Sequence, residues 1–324
     1  MTLPYRDDVT RTWIPDVLGG FEQTTLAMPA SWDGPVDAVL VRRRSDLTGG
    51  AAVLYVHGFV DYFFQTHLAD FYEAQGLRFY ALDLRRHGRA LRPHQQPSVC
   101  RDIDEYLDDV DAAVRLLTAE EGVEWLLLDG HSTGGLVVAL TASRGAERAR
   151  IDAVVLNSPF LDMNVPRWQA RLVEPVLSAV GRMAPSLKLP APPSFYGQSL
   201  HVDHRGAWSF DERWKPMVGF PVRAGWFRAI HRAHAEIERG LQLRQPVQVL
   251  HAGRSAWPKV WSDECRSADI VLDVDDMVRL APRLGPRVEV AAVPGGIHDL
   301  VLSDEPARST VFALHADWLA RIRP

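Results

Sequence analysis

Hydrophobic and polar positions fall into three successive patterns along this chain. Residues 21–28 and 36–41 are runs of β-forming residues, separated by Pro29, Trp32-Asp33-Gly34 and Pro35, which predicts a hairpin. From residue 51 the character changes. Residues 51–56 are continuously apolar, the mark of a strand covered on both faces, and the run stops at His57-Gly58-Phe59-Val60-Asp61. Residues 68–75 then predict a helix closed by Gly76, and 77–82 a second buried strand ending at Asp83. A helix over 104–118, a strand over 125–129, a helix over 134–144 and a strand over 151–156 follow. Strand and helix in alternation predict βαβ units and a mostly parallel sheet.

After Asn157-Ser158-Pro159 the alternation stops. Residues 165–245 contain helical patches but no buried-strand run, and they hold eight of the 22 prolines together with Trp168, Trp208, Trp214 and Trp226. This stretch reads as a helical insertion laid over the sheet. The alternation resumes with a strand at 246–250, a helix at 276–284, a strand at 288–293 and a closing helix at 307–322. The expected organisation is a discontinuous core, 1–164 and 246–324, interrupted by the insertion.

Composition narrows the class. At 324 residues, 47% hydrophobic and 24% charged, the chain has the make-up of a water-soluble globular protein with a sizeable core. Its formal charge of −5 has mixed signs throughout and no basic stripe, so nucleic acid is not an expected partner. Two cysteines, Cys100 and Cys265, are too few for a disulfide framework. Residues 1–8 are charged without an apolar core, so no secretory leader is expected there. No uncharged run approaches the ~18 residues of a membrane span. A cytoplasmic enzyme is the expectation.

The candidate chemistry centres on Gly130-His131-Ser132-Thr133-Gly134-Gly135. It follows the apolar run 126–128 and precedes a second apolar run, 136–140. Strand, tight turn and helix around G-x-S-x-G is the context of a nucleophile elbow. The serine sits on a strained turn, so the residues two before and two after it must let strand and helix pass closely. Gly130 and Gly134 occupy those places. The following helix N-terminus aims unpaired N–H groups and a positive dipole end at the hydroxyl.

A serine hydroxyl needs a positioned base, itself oriented by a third group. Functional loops of open α/β sheets gather outside the carboxyl ends of the strands. His298 follows the 288–293 strand through Pro294-Gly295-Gly296-Ile297 and is the best candidate base. His57 also follows a strand, but there the useful atom is the backbone N–H of Phe59, which with that of Thr133 would face the developing oxyanion. His131 is expected to point away from the nucleophile and pack. The pairs His201/His204 and His231/His234 lack a third ligand, so no metal site is expected.

In order, His57-Gly58, the elbow at 130–135, a carboxylate after the next-to-last strand and Gly295-Gly296-Ile297-His298-Asp299 resemble the α/β-hydrolase family. Gly-His-Ser-Thr-Gly-Gly and Asp83-Leu84-Arg85-Arg86-His87-Gly88-Arg89 are similar to its lysophospholipase and monoacylglycerol-lipase-like branch, also grouped with the serine aminopeptidases. The resemblance covers about residues 50–324 apart from the insertion. It implies a mostly parallel eight-stranded sheet flanked by helices, a helical cap at 165–245, and a catalytic order of Ser, Asp, His. The acid departs from the family pattern, because Trp257, Pro258 and Trp261 stand in an unusual segment after His251-Ala252-Gly253-Arg254. Asp269 matches the first aspartate of Asp-x-Val-x-Asp and is the expected acid; Asp263 is its rival. Asp273 and Asp275 are expected to cap the helix that follows.

The expected activity is hydrolysis of a carboxylic ester (a lysophospholipid, a monoacylglycerol or a small acyl or aromatic ester) by Ser132, His298 and Asp269, without metal or organic cofactor. Tyr62, Phe63, Trp168 and Trp208 are candidate substrate contacts, with core packing as the competing account of these aromatics. A serine in the elbow, where epoxide hydrolases and dehalogenases carry aspartate, disfavours those chemistries. An amidase or aminopeptidase of the same fold is the first rival, and an acid in the cap that binds an amine would favour it. A non-catalytic ligand-binding member is the second, which a lost triad residue would signal. The expected partner is a small acyl ester, and a homodimer is compatible with this reading.

Overall fold

The computed structural model describes residues 12–163, 178–190 and 194–323. Its strands are β1 (Ile14–Pro15), β2 (Phe21–Ser31), β3 (Gly34–Arg43), β4 (Ala51–Val56), β5 (Arg78–Asp83), β6 (Trp125–His131), β7 (Ala153–Asn157), β8 (Val247–Ala252) and β9 (Val288–Val293). They form one sheet in the order β1-β2-β3-β5-β4-β6-β7-β8-β9. The first three strands pair antiparallel, and β3 joins β5 antiparallel; β5, β4, β6, β7, β8 and β9 run parallel. The sheet thus has nine strands among the described residues where eight were expected. The added one is the two-residue β1, too short to leave a period in the sequence.

Among the described residues the helices include α1 (Thr66–Ala74), α2 (Asp104–Ala119), α3 (Thr133–Arg144), α4 (Tyr196–Leu200), α5 (Ala224–Arg239), α6 (Val274–Leu284) and α7 (Ala307–Ile322). The apolar runs of the central strands serve two cores at once. Leu54, Val56, Leu126, Leu128, Val154 and Leu156 face a layer built from α2, α3, α5 and α6. Val53, Tyr55, Leu127, Val155 and Leu250 face the opposite layer, with α1 and α7. Each such side chain contributes roughly 1.5–3 kcal/mol over its exposed state. Buried arginines tie the loop after β5 to helix α2, to the turn between β2 and β3, to the segment after β1 and to the end of β5. Arg85 pairs with Asp109 at 2.6 Å, Arg86 with Asp33 at 2.6 Å, and Arg89 with Asp16 at 2.6 Å and Asp83 at 2.9 Å.

The segment between β7 and β8 divides differently from the expected 165–245 unit. Helix α5 buries Trp226, Ala229, Ile230, Ala233 and Ile237 in the same core as α3 and the sheet. It is the crossover that parallel β7 and β8 require, so it belongs to the core layer. An amphipathic helix looks the same in sequence whether it covers a sheet or roofs a pocket. Cys100 and Cys265 are free and buried.

Candidate active site

Ser132 sits at the turn from β6 into α3 with φ 54° and ψ −118°. A positive φ on a non-glycine residue is strained and persists only where its surroundings impose it. Those surroundings are tight. The Ser132 N–H donates to Asn157 O at 3.0 Å, and Ser132 O accepts from Phe160 N at 3.0 Å. A Cβ on Gly130 would lie 2.5 Å from Gly134 O, and one on Gly134 would lie 2.2 Å from Val56 O. Strand β6 runs to His131, two residues past the expected 129, and so carries the chain straight into the turn.

His298 reaches Ser132 from the loop after β9. Its Nε2 is 2.9 Å from Ser132 Oγ, and its Nδ1 is 2.8 Å from Asp269 Oδ2. Ser132, His298 and Asp269 are 7%, 2% and 0% exposed, so this hydrogen-bonded line is shielded but the hydroxyl is not sealed. Asp269 follows β8 after a long excursion. Its N–H donates to Arg254 O at 3.0 Å, and its O accepts from Ala256 N at 2.8 Å. Residues 257–268 therefore loop out, and the backbone closes beneath them as a short bridge between Ser255 and Asp269. Asp263 lies exposed on that excursion, in the turn Asp263–Arg266. Asp273 caps α6 by accepting from Asp275 N at 3.1 Å, and Asp275 lies inside the first turn.

The loop after β4 lies against Ser132: a Cβ on Gly58 would be 3.1 Å from Ser132 Cβ. His57 shapes this loop. Its Nδ1 donates to Gly58 O at 2.8 Å and its Nε2 accepts from Leu84 N at 3.1 Å, which assigns the tautomer and leaves it no role on Ser132. Thr133 is the first residue of α3, whose opening N–H groups have no intrahelical acceptor. His131 is buried but does not turn away from the site. Its ring lies 4.9 Å from that of His298, neither nitrogen has a partner, and burial holds its pKa well below the ordinary value.

Sequence reasoning missed the group beside it. Asp61 Oδ2 lies 3.8 Å from His131 Nδ1, and Asp61, His131 and Asp299 bring possible ligand atoms within 4.8 Å of one another. The positive charge at this cluster comes from Lys215, whose Nζ is 2.8 Å from Asp61 Oδ1. Asp299 is anchored by Asn157 Nδ2 at 2.8 Å and Gln65 Nε2 at 3.1 Å. Tyr196 presents its ring edge to His298 at 5.5 Å, and its hydroxyl accepts from Asp299 N at 3.1 Å. A signal existed for Asp61, a carboxylate in the loop after a buried strand. None existed for Lys215 or Tyr196, which come from the segment between β7 and β8.

The aromatic candidates separate. Phe63 is fully buried among Phe21, Tyr55 and Phe79, a core residue and not a pocket wall. Trp208 stacks on His67 at 4.4 Å and donates its indole N–H to Leu302 O at 2.8 Å, and neither partner is Ser132, His298 or Asp269. Tyr62 packs against Phe64 and Trp214. Trp168 lies outside the described residues. In their place, Trp226 meets the Phe59 ring at 4.3 Å and stacks on Phe160 at 6.3 Å, close to the elbow through the Phe160–Ser132 hydrogen bond. His201 and His234 are buried, with ring nitrogens on Phe210 O and Phe160 O.

Comparison with known proteins bears on the fold and the family. A monoacylglycerol lipase from Mycolicibacterium smegmatis is 30% identical over 142 residues, which span 42% of this chain and 46% of that protein, so the chain matches about half its length. A solved monoglyceride lipase from Saccharomyces cerevisiae superposes with a TM-score of 0.65 at 17% identity, covering 99% of this chain and 100% of that one. A monoacylglycerol lipase from Paleococcus ferrophilus superposes at 0.61 and 21% identity, over 84% of this chain and 94% of that one. At these identities the superpositions show the fold, that of the α/β-hydrolases. Residues 49–305 match the family model described as serine aminopeptidase, S33, and with that span the chain belongs to this family of hydrolases.

Proposed function

We propose that the protein hydrolyses carboxylic esters through an acyl-enzyme on Ser132. The observation that carries this reading is the hydrogen-bonded line from Ser132 Oγ through His298 to Asp269, at 2.9 and 2.8 Å. Ser132 Oγ attacks the ester carbonyl while His298 Nε2 takes its proton. Asp269 keeps the imidazole in the tautomer that accepts this proton and stabilises the imidazolium formed. The Phe59 and Thr133 N–H groups hold the oxyanion, each donor contributing about 3–4 kcal/mol to lowering the barrier. Collapse of the tetrahedral intermediate expels the alkoxide, which leaves as the alcohol with the proton from His298. A water activated by the same histidine then releases the acid and restores Ser132.

Phe59, Phe160 and Trp226 offer an apolar wall, so a single acyl chain or an aromatic acid is the substrate class, and the mycobacterial relative makes a monoacylglycerol the first to try. Part of the segment between β7 and β8, ahead of α5, is proposed to roof this wall. The test is fluorophosphonate labelling with turnover of p-nitrophenyl esters of rising chain length. Ser132→Ala should abolish labelling and lower turnover by up to ~10⁶; a variant keeping a tenth of wild-type turnover would sink the proposal. The family description favours a second reading, an aminopeptidase or amidase. Faster turnover of aminoacyl p-nitroanilides than of any ester would select it.

A further inference from the structure

Val60 directly follows the proposed oxyanion donor Phe59 and has φ 52°. A β-branched residue there is strained, so something must hold this loop in place. The residues after Val60 are gripped from the segment between β7 and β8. Lys215 Nζ meets Asp61 Oδ1 at 2.8 Å, and the Asp211 N–H donates to the Tyr62 hydroxyl at 2.7 Å. Trp214 stands edge-on to Tyr62 at 5.0 Å, and Phe210 packs on Phe64 at 5.1 Å. Asp61 is 1% exposed and Lys215 6%, so this ion pair is buried, and its ammonium lies near the Phe64, Tyr196 and Phe210 rings.

We propose that Lys215 and Asp61 are positioning residues: the buried pair clamps the strained turn at Val60 so that the Phe59 N–H points at the oxyanion. This rests on the acyl-enzyme reading above. Neither residue hydrogen-bonds to Ser132, His298 or Asp269; their hydrogen-bonding partners among the described residues are each other and the Tyr62 N–H. The pair acts through the backbone two residues upstream, and it makes the oxyanion hole depend on a segment remote in sequence. The Tyr62 N–H on Asp61 Oδ1 at 2.9 Å stiffens the turn from within, and the external half of the clamp is Lys215.

The decisive variants are Lys215→Met and the double variant Asp61→Asn/Lys215→Met. The double variant leaves no unpaired buried charge and keeps the test valid if the single one unfolds. An oxyanion donor displaced by about 1 Å costs on the order of 10²-fold in kcat, and that loss is expected here with KM within about threefold of wild type. Adding Val60→Gly removes the strain that the clamp opposes and should recover about tenfold of the lost kcat, because glycine adopts positive φ freely. Lys215→Arg should keep kcat within about fivefold of wild type. Unchanged kcat in both clamp variants would overturn the proposal. So would a loss confined to KM, or one that Val60→Gly does not relieve. A wild-type chain that neither labels at Ser132 nor turns over any ester ends the functional reading and the clamp with it; an active wild type with unaffected variants ends the clamp alone.

Discussion

The two oxygens of Asp269 have different partners. Oδ1 accepts from Val271 N and Leu272 N, both at 2.8 Å, and so holds its own loop, while Oδ2 is left for His298. A carboxylate so held presents one lone-pair direction to Nδ1 and fixes the tautomer of the imidazole. Asp269→Asn should keep the loop bonds on its carbonyl oxygen and turn an amide towards the ring. Turnover is then expected to fall by ~10⁴ with little change in stability. Asp263→Asn should stay within about tenfold of wild type, since that carboxylate is exposed on the excursion. Turnover numbers for both variants at one pH decide the point.

At the scale of elements, the elbow depends on strand β6, helix α3 and the end of β4 passing closer than side chains allow. Gly134→Ala would set a methyl group 2.2 Å from Val56 O and 2.4 Å from His57 O, backbone atoms that cannot swing aside. Overpacking of this kind costs at least ~1–3 kcal/mol, and here it also tilts Ser132, the proposed nucleophile. A lowered urea midpoint together with reduced fluorophosphonate labelling is expected, and a stable, fully reactive variant would refute it. The packing of α5 makes a second prediction. Trp226→Leu should change the chain-length profile, because its ring meets Phe59 in the loop that lies against Ser132, the proposed nucleophile. Trp208→Ala should lower stability and leave that profile unchanged, because its contacts are with His67 and Leu302. Esters of graded length, assayed for both variants, check it.

Across the whole molecule, buried titratable groups make stability depend on pH. Asp129 on β6 is 2% exposed; Tyr72 donates to its Oδ2 at 2.8 Å while its Oδ1 has no partner. Burial, reinforced by the charge of Asp299, pushes its pKa up to about 7 from an ordinary 3.8. The folded state therefore holds a proton that the unfolded chain releases. Its contribution is full below pH 3.8 and is lost as pH rises through about 7. His315 works in the opposite sense: burial lowers its pKa from 6.5 to about 3, so its contribution is present above pH 6.5 and is lost on acidification. Asp129→Asn removes the first effect alone. Between pH 5 and pH 8 the variant should gain roughly 2–3 kcal/mol relative to wild type in urea unfolding. Parallel curves would show that Asp129 is ionised in the folded protein.

The residues proposed as nucleophile and base could be picked out from the sequence because their signals are local. A buried run, two glycines four residues apart and a helix lie in one contiguous stretch around Ser132, and His298 follows its strand by five residues, after β9 ends at Val293. The parallel sheet was legible for the same reason, since a strand covered on both faces must be apolar throughout. Asp269 could be matched to a motif but not located, because residues 257–268 must loop out before Arg254 and Ala256 can bond to it. Which aromatics are core was not legible either: Phe63 and Phe59 stand four residues apart in one loop, and only the path of that loop buries the first and brings the second to Trp226. The pairing of Asp61 with Lys215 joins residues far apart in the chain through a segment without periodicity. Short-range sterics and hydrophobic period are written into adjacent residues. Which distant charge meets which depends on how the segments pack, and only the folded chain decides that.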